Sequence, residues 1–270
     1  MPFSLATSNR SFIKMHGLRN HFVIVDARVR PYQPDHDEVI RICDGQIGIG
    51  ADQLVVIEES ENADAFMRLY NVDGREAQAC GNATRCVAAL LLKSTKASTI
   101  TIETLAGLLH CQQVAAGLIR CDLGQVQPLQ NADKAASIRA GPLKGGFAVD
   151  LGNPHLVFFV EDPDGIQLAQ LAPGVQQNRY FPESVNVGIA GMVSPTELTL
   201  RVYERGAGLT MACGSGACAA VFAAQEQALL RPNATCSVHM PGGSVTVDIT
   251  ADKRAILTGP IAYCFEGFLP

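Results

Sequence analysis

The sequence predicts an α/β fold of two pseudo-symmetric domains, each a curved, mostly antiparallel sheet wrapped around a central helix. Three observations predict it: an internal repeat, a dense succession of strand-like segments, and one helix per half that is apolar on nearly every face. The repeat appears when the chain is laid on itself at an offset of 133 positions, the separation of Cys80 and Cys213. Met67–Gly81 then falls on Leu200–Gly214, with Arg68 on Arg201, Tyr70 on Tyr203, Ala79 on Ala212, Cys80 on Cys213 and Gly81 on Gly214. The same offset, without a gap, places Asn20 on Asn153, Gln53 on Asn186 and Asn71 on Glu204. The repeat divides the chain into residues 1–130 and 131–270. The stretch 125–146, with Pro128, Gly141, Pro142, Gly145 and Gly146, reads as the linker.

Short runs rich in β-branched and aromatic residues supply the strands: 22–25, 53–57, 66–70, 100–103 and 119–123 in the first half, then 156–160, 198–203, 244–249 and 255–257 in the second. Against this background 80–92 and 213–224 read as helices. Gly, Asn and Ser crowd their first turns, and Ala, Leu and Val fill the rest. A helix without a polar face must be buried, which is why each sheet is expected to curl around one.

Composition narrows the function classes. The chain has 270 residues, 47% hydrophobic and 17% charged, with a formal charge of −5. This is a globular balance, and Lys and Arg concentrate on no stretch that would suit nucleic acid. No apolar run is long enough to span a bilayer, and Met1–Ser11 lacks a charged head followed by an apolar stretch, so a cytoplasmic protein without membrane contact is expected. The nine cysteines are odd in number and scattered, the pattern of reduced thiols. They show no zinc-knuckle spacing and the six histidines do not cluster, so no metal and no cofactor are expected.

Two cysteines stand apart from the rest. Cys80 and Cys213 each open one of the apolar helices, where unpaired N–H groups and the helix dipole favour a thiolate. The amides beside Gly81 and Gly214 are unobstructed and suited to a carboxylate. Withdrawing a proton from a carbon next to a carboxylate builds negative charge on its oxygens, and helix ends aimed there stabilise that charge. If one thiolate removes the proton from one face and the other thiol returns one to the opposite face, the centre inverts. The remaining cysteines (Cys43, Cys86, Cys111, Cys121, Cys218, Cys236, Cys264) read as core filler, and His21 as a surface or supporting residue.

Blocks along nearly the whole length carry a specific resemblance: Met15–Phe22, Gly48–Gln53, Asn71–Gly74, Ala79–Asn82, Gly152–His155, Phe181–Asn186, Glu204–Gly208 and Ala212–Ser215. The chain resembles the diaminopimelate epimerases, which interconvert LL- and meso-2,6-diaminoheptanedioate without cofactor or metal, on the lysine and cell-wall precursor route. The resemblance implies two pseudo-symmetric α/β domains, a homodimer, a small diamino diacid as substrate, and Cys80 and Cys213 as the acid/base pair. It further implies carboxylate-binding amides at Gly81, Asn82, Gly214 and Ser215, and a pocket lined by Asn20, Gln53, Asn71, Asn153, His155, Asn186, Glu204 and Arg205. Within it Arg205 would clamp the distal carboxylate while Glu204 faces an ammonium. Arg19, His21, Ala83 and Leu209 depart from the usual pattern and bear on substrate preference. Two other readings stand beside this one: a related cofactor-independent racemase, such as a histidine racemase, and a non-catalytic thiol redox sensor.

Overall fold

The computed structural model describes residues 10–130 and 132–269. The first nine residues of the Met1–Ser11 stretch read above for a leader lie outside the described residues. Among those described, no helix is long and apolar enough to cross a membrane.

By contacts the chain forms two compact units. One runs up to Ile119 and regains the segment from Pro260, and the other is Arg120–Gly259. These units do not coincide with the sequence halves 1–130 and 131–270. The boundary falls earlier, and the end of the chain rejoins the first unit.

The first unit is built from β1 (Ser11–Gly17), β2 (Asn20–Asp26), α1 (His36–Cys43), β3 (Gln53–Glu58), β4 (Ala65–Asn71), β5 (Glu76–Ala77), α2 (Gly81–Thr95), β6 (Thr99–Thr104) and β7 (Gly107–Ala115). Its alternating strands bury residues on both faces. On one side Val23, Val25, Leu54, Val56 and Tyr70 pack on Val39, Ile42 and Cys43 of α1. The opposite side receives α2, whose Ala83, Cys86, Val87, Ala88 and Leu91 are buried. Asp35 caps α1 by accepting the N–H of Glu38 at 2.8 Å, with Asp37 and Glu38 favourably placed in its first turn.

The second unit contains β8 (Leu118–Gln125), β9 (Gln127–Pro128), α3 (Ala132–Ala135), β10 (Arg139–Ala140), β11 (Leu143–Lys144), β12 (Phe147–Asp150), β13 (Pro154–Phe159), α4 (Leu168–Gln176), β14 (Asn186–Ser194), β15 (Glu197–Glu204), β16 (Gly208–Thr210), α5 (Gly214–Glu226), β17 (Cys236–Met240), β18 (Gly243–Ile249) and β19 (Arg254–Pro260). The expected linker is therefore structured: it carries β9, α3, β10 and β11. Ala217 through Ala224 of α5 are all buried, and the sheet surrounds them on several strands. Burying a side chain the size of Phe222 is worth about 1.5–3 kcal/mol.

The repeat survives as register. In the first unit β2 pairs parallel with β3, β3 antiparallel with β4, β4 with β5, and β4 parallel with β6. In the second, β13, β14, β15, β16 and β17 repeat that order and those directions. Phe22 faces Gln53 as His155 faces Asn186, and Leu69 faces Ala77 as Val202 faces Thr210, each pair at the offset read from the sequence. One difference lies in the first hairpin. Gly17 pairs with Asn20 across Leu18 and Arg19, both at positive φ, whereas Asp150 pairs with Pro154 across a turn one residue longer.

The last strand, β20 (Ala262–Phe268), returns to the first unit and pairs antiparallel with β1, with a bulge between Lys14 and Met15.

Candidate active site

Both cysteines are helix N-caps. Cys80 has extended backbone angles (φ −148°, ψ 110°) and its carbonyl accepts the N–H of Thr84 at 2.9 Å. Cys213 is placed alike (φ −125°, ψ 113°), with Ala217 N–H on its carbonyl at 3.0 Å. In each unit the amides of the first turn therefore lie outside the intrahelical ladder. At Cys213 the Gly216 N–H reaches Sγ at 3.4 Å. A Cβ on Gly216 would stand 3.2 Å from that sulfur and 3.0 Å from Val202, so a glycine permits the approach. The corresponding first-unit residue is Ala83, fully buried in α2.

In the first unit the strand ends gather three of the expected residues on the α2 side. Asn20 Nδ2 approaches Cys80 Sγ at 3.8 Å, and Gln53 Nε2 donates to Asn71 Oδ1 at 2.9 Å. Gln53 Oε1 is buried without a protein partner, an acceptor suited to an ammonium. Asn82 is buried, and its Oδ1 receives Arg85 Nη2 at 2.6 Å. Arg85 is the residue that sequence reasoning missed. It is 0% exposed, and its Nη1 donates to the Gly81 carbonyl at 3.2 Å, so a guanidinium underlies the first turn of α2. The repeat gave no signal for it, because its counterpart is Cys218.

In the second unit Asn153, His155, Ser215 and Cys213 form a chain of contacts. His155 Nε2 lies 3.0 Å from Ser215 Oγ and 3.2 Å from Asn153 Oδ1, and Asn153 Nδ2 lies 3.4 Å from the same hydroxyl. With the ring proton placed on Nε2, Ser215 Oγ accepts from this side and its own proton is directed to Cys213 Sγ, 3.6 Å away. Burial, reinforced by the charge of Arg205, pushes the His155 pKa down to about 3, so the ring is neutral. Asn186 is turned inward. It donates to the Pro154 carbonyl at 3.1 Å and accepts the Arg205 N–H at 2.9 Å, bracing the two strand ends. Arg205 is exposed, with Nη1 on the Glu183 carbonyl at 2.8 Å. Glu204 receives the hydroxyl of Thr210 at 2.5 Å, a partner the sequence did not mark because Ala77 holds the equivalent place.

The electrostatics correct one expectation. The helix N-terminus was expected to make Cys213 easy to ionise, yet its pKa is raised well above the usual thiol value, first by burial and then by the Glu204 carboxylate. Ser215 and the Gly216 amide pull the other way without prevailing. Burial likewise raises Glu204, against hydrogen bonds from Thr210 and Cys213. The resting proton at this end sits on sulfur.

A cysteine thus heads a buried helix in each of two like-built units. Solved structures with this fold include a hydroxyproline epimerase from Agrobacterium vitis (TM-score 0.71, 14% identity, 96% of this chain and 92% of that one). A probable proline racemase from Agrobacterium radiobacter is also similar (TM-score 0.73, 14% identity, 97% and 93%). The family model for diaminopimelate epimerase matches residues 12–129 and 147–264. The chain is 43% identical over 268 residues to the diaminopimelate epimerase of Acidiphilium cryptum, covering 96% of each. It is 38% identical over 278 residues to that of Desulfitobacterium hafniense, covering 95% of this chain and 97% of the relative. The chain belongs to the diaminopimelate epimerase family.

Proposed function

We propose that this chain epimerises LL-2,6-diaminoheptanedioate to the meso form by two-base proton transfer between Cys80 and Cys213, in lysine and peptidoglycan precursor biosynthesis. What carries the reading, within this family, is the cysteine N-cap repeated at the head of each buried helix. The Cys213 end is poised as the acid, because its proton rests on sulfur, and Cys80 then acts as the base. Amides at Gly81, Asn82, Gly214 and Ser215 stabilise the charge that develops on the reacting carboxylate. Asn20, Gln53, Asn71 and Asn153 orient the substrate, while His155 and Asn186 hold their neighbours in place. Glu204 takes an ammonium and Arg205 the distal carboxylate. The enzyme acts in the cytoplasm as a homodimer, which sedimentation of the purified chain checks.

The deciding experiment is solvent exchange with a reductant present. Deuterium from D2O should enter the α-carbon of LL-diaminopimelate and leave L-histidine unlabelled. Cys80→Ser and Cys213→Ser should each abolish exchange while substrate still binds. Exchange into histidine alone would make the chain a histidine racemase, and no exchange into either would remove the enzymatic reading.

A further inference from the structure

Two departures from the repeat fall side by side in the second unit. Where the first unit has Asn71 on β4 and Ala77 on β5, the second has Glu204 on β15 and Thr210 on β16. Thr210 pairs with Val202 and Glu204 with Gly208, so Val202, Glu204 and Thr210 share one face of the sheet. That face is turned to α5, since Val202 borders Gly216 in the first turn behind Cys213.

The hydrogen-bond donors explain why the two departures come together. In the first unit the Asn71 side chain receives Gln53 Nε2 at 2.9 Å. The residue in the place of Gln53 is Asn186, and its amide is engaged elsewhere, donating to the Pro154 carbonyl and accepting the Arg205 N–H. Glu204 Oε1 takes its hydrogen bond from Thr210 Oγ1 instead, at 2.5 Å. Threonine suits the task because its branched Cβ restricts the rotamer and so aims the hydroxyl. A buried carboxylate short of a donor takes up a proton. The adjoining source is the Cys213 thiol, which shares a hydrogen bond with Glu204. Of the titratable groups on neighbouring elements, the His155 ring of β13 is neutral and Arg205 reaches to the Glu183 carbonyl. Glu204 is thus the charge that bears on the sulfur.

We propose that Thr210 is a positioning residue, whose hydroxyl fixes the Glu204 carboxylate so that the transferable proton stays on Cys213. This deepens the epimerase reading and rests on its assignment of Cys213 as the acid. Without the hydroxyl, the thiol proton passes to the carboxylate and leaves a thiolate beside a neutral Glu204, with the total charge unchanged.

The test is alkylation of Cys213 by iodoacetamide as a function of pH. It needs neither substrate nor turnover, so its outcome stands apart from whether the chain epimerises diaminopimelate. In Thr210→Val, which puts a methyl in place of the hydroxyl, alkylation should set in at lower pH and run about tenfold faster at a fixed pH below the wild-type onset. Thr210→Ala, which matches Ala77 of the first unit, should shift the profile the same way and covers a failure of the first variant to fold. Thr210→Ser restores a hydroxyl and should keep the wild-type profile. Added to Glu204→Gln, the Thr210→Val change should bring no further shift, because Thr210 acts only through that carboxylate. An unshifted profile in Thr210→Val and Thr210→Ala, a shift in Thr210→Ser equal to theirs, or a full shift added on top of Glu204→Gln would each overturn the proposal.

Discussion

His155 should make the second unit acid-sensitive in a measurable way. Its ring is 1% exposed and its pKa falls from 6.5 to about 3, so between those values the unfolded chain binds a proton that the folded chain refuses. Stability is therefore undiminished above the unfolded value, and it falls as pH drops through the window below 6.5. At 1.36 kcal/mol per pH unit, the ring costs about 2 kcal/mol at about pH 5 and levels off near 5 kcal/mol below its folded value. His155→Gln keeps a neutral polar group near Ser215 and Asn153 and removes the titration. Urea unfolding of both proteins at about pH 7 and about pH 5 should show the wild type losing about 2 kcal/mol more than the variant. Equal losses, or a His155 proton resonance that titrates near 6.5, would refute the buried neutral ring and with it the direction of the Ser215 hydroxyl.

Glu204→Gln removes the charge that opposes a Cys213 thiolate, so alkylation of Cys213 by iodoacetamide should set in at lower pH than in the wild type. An unchanged profile would mean that Glu204 does not act on this sulfur. Arg85→Lys cannot span both the Gly81 carbonyl and Asn82 Oδ1, so it should cost about 1.5–3 kcal/mol in urea unfolding and alter alkylation of Cys80 more than that of Cys213. Full stability in the variant would remove that role. Arg205→Lys replaces a two-pronged clamp with a point charge, and KM for the diamino diacid should rise about tenfold, equivalent to about 1.4 kcal/mol, while binding of a short amino acid holds. Parallel losses for the two ligands would place Arg205 away from the distal carboxylate.

The repeat made the likeness of the two units and both buried helices legible, because a register kept over sixty positions requires equivalent elements in each half. The offset laid Gln53 on Asn186, and in the structure the two hold equivalent places, Gln53 paired with Phe22 and Asn186 with His155. What escaped notice lacked a counterpart or a pattern. Arg85 has only Cys218 opposite it, and Thr210 has only Ala77. Strand β1 was not read because Lys14 and His16 interrupt the face on which it buries Phe12. The unit boundary was misplaced because pairing of β20 with β1 is a contact between the two ends of the sequence, and no local periodicity records it. The ionisation of Cys213 was misjudged because the helix end was visible in the sequence while the depth of burial was not.

That pairing of β20 with β1 also sets an order of events in synthesis. The second unit is continuous in sequence and has all its strands once residue 260 has emerged, whereas β1, made among the first, waits for its outer neighbour until residue 268. For most of translation the N–H and C=O groups of Ser11–His16 on that side form an open strand edge, the kind that recruits foreign strands. The half of the protein made first is thus completed last, and a chain halted shortly before β20 would release a finished second unit tethered to an unfinished and adhesive first one.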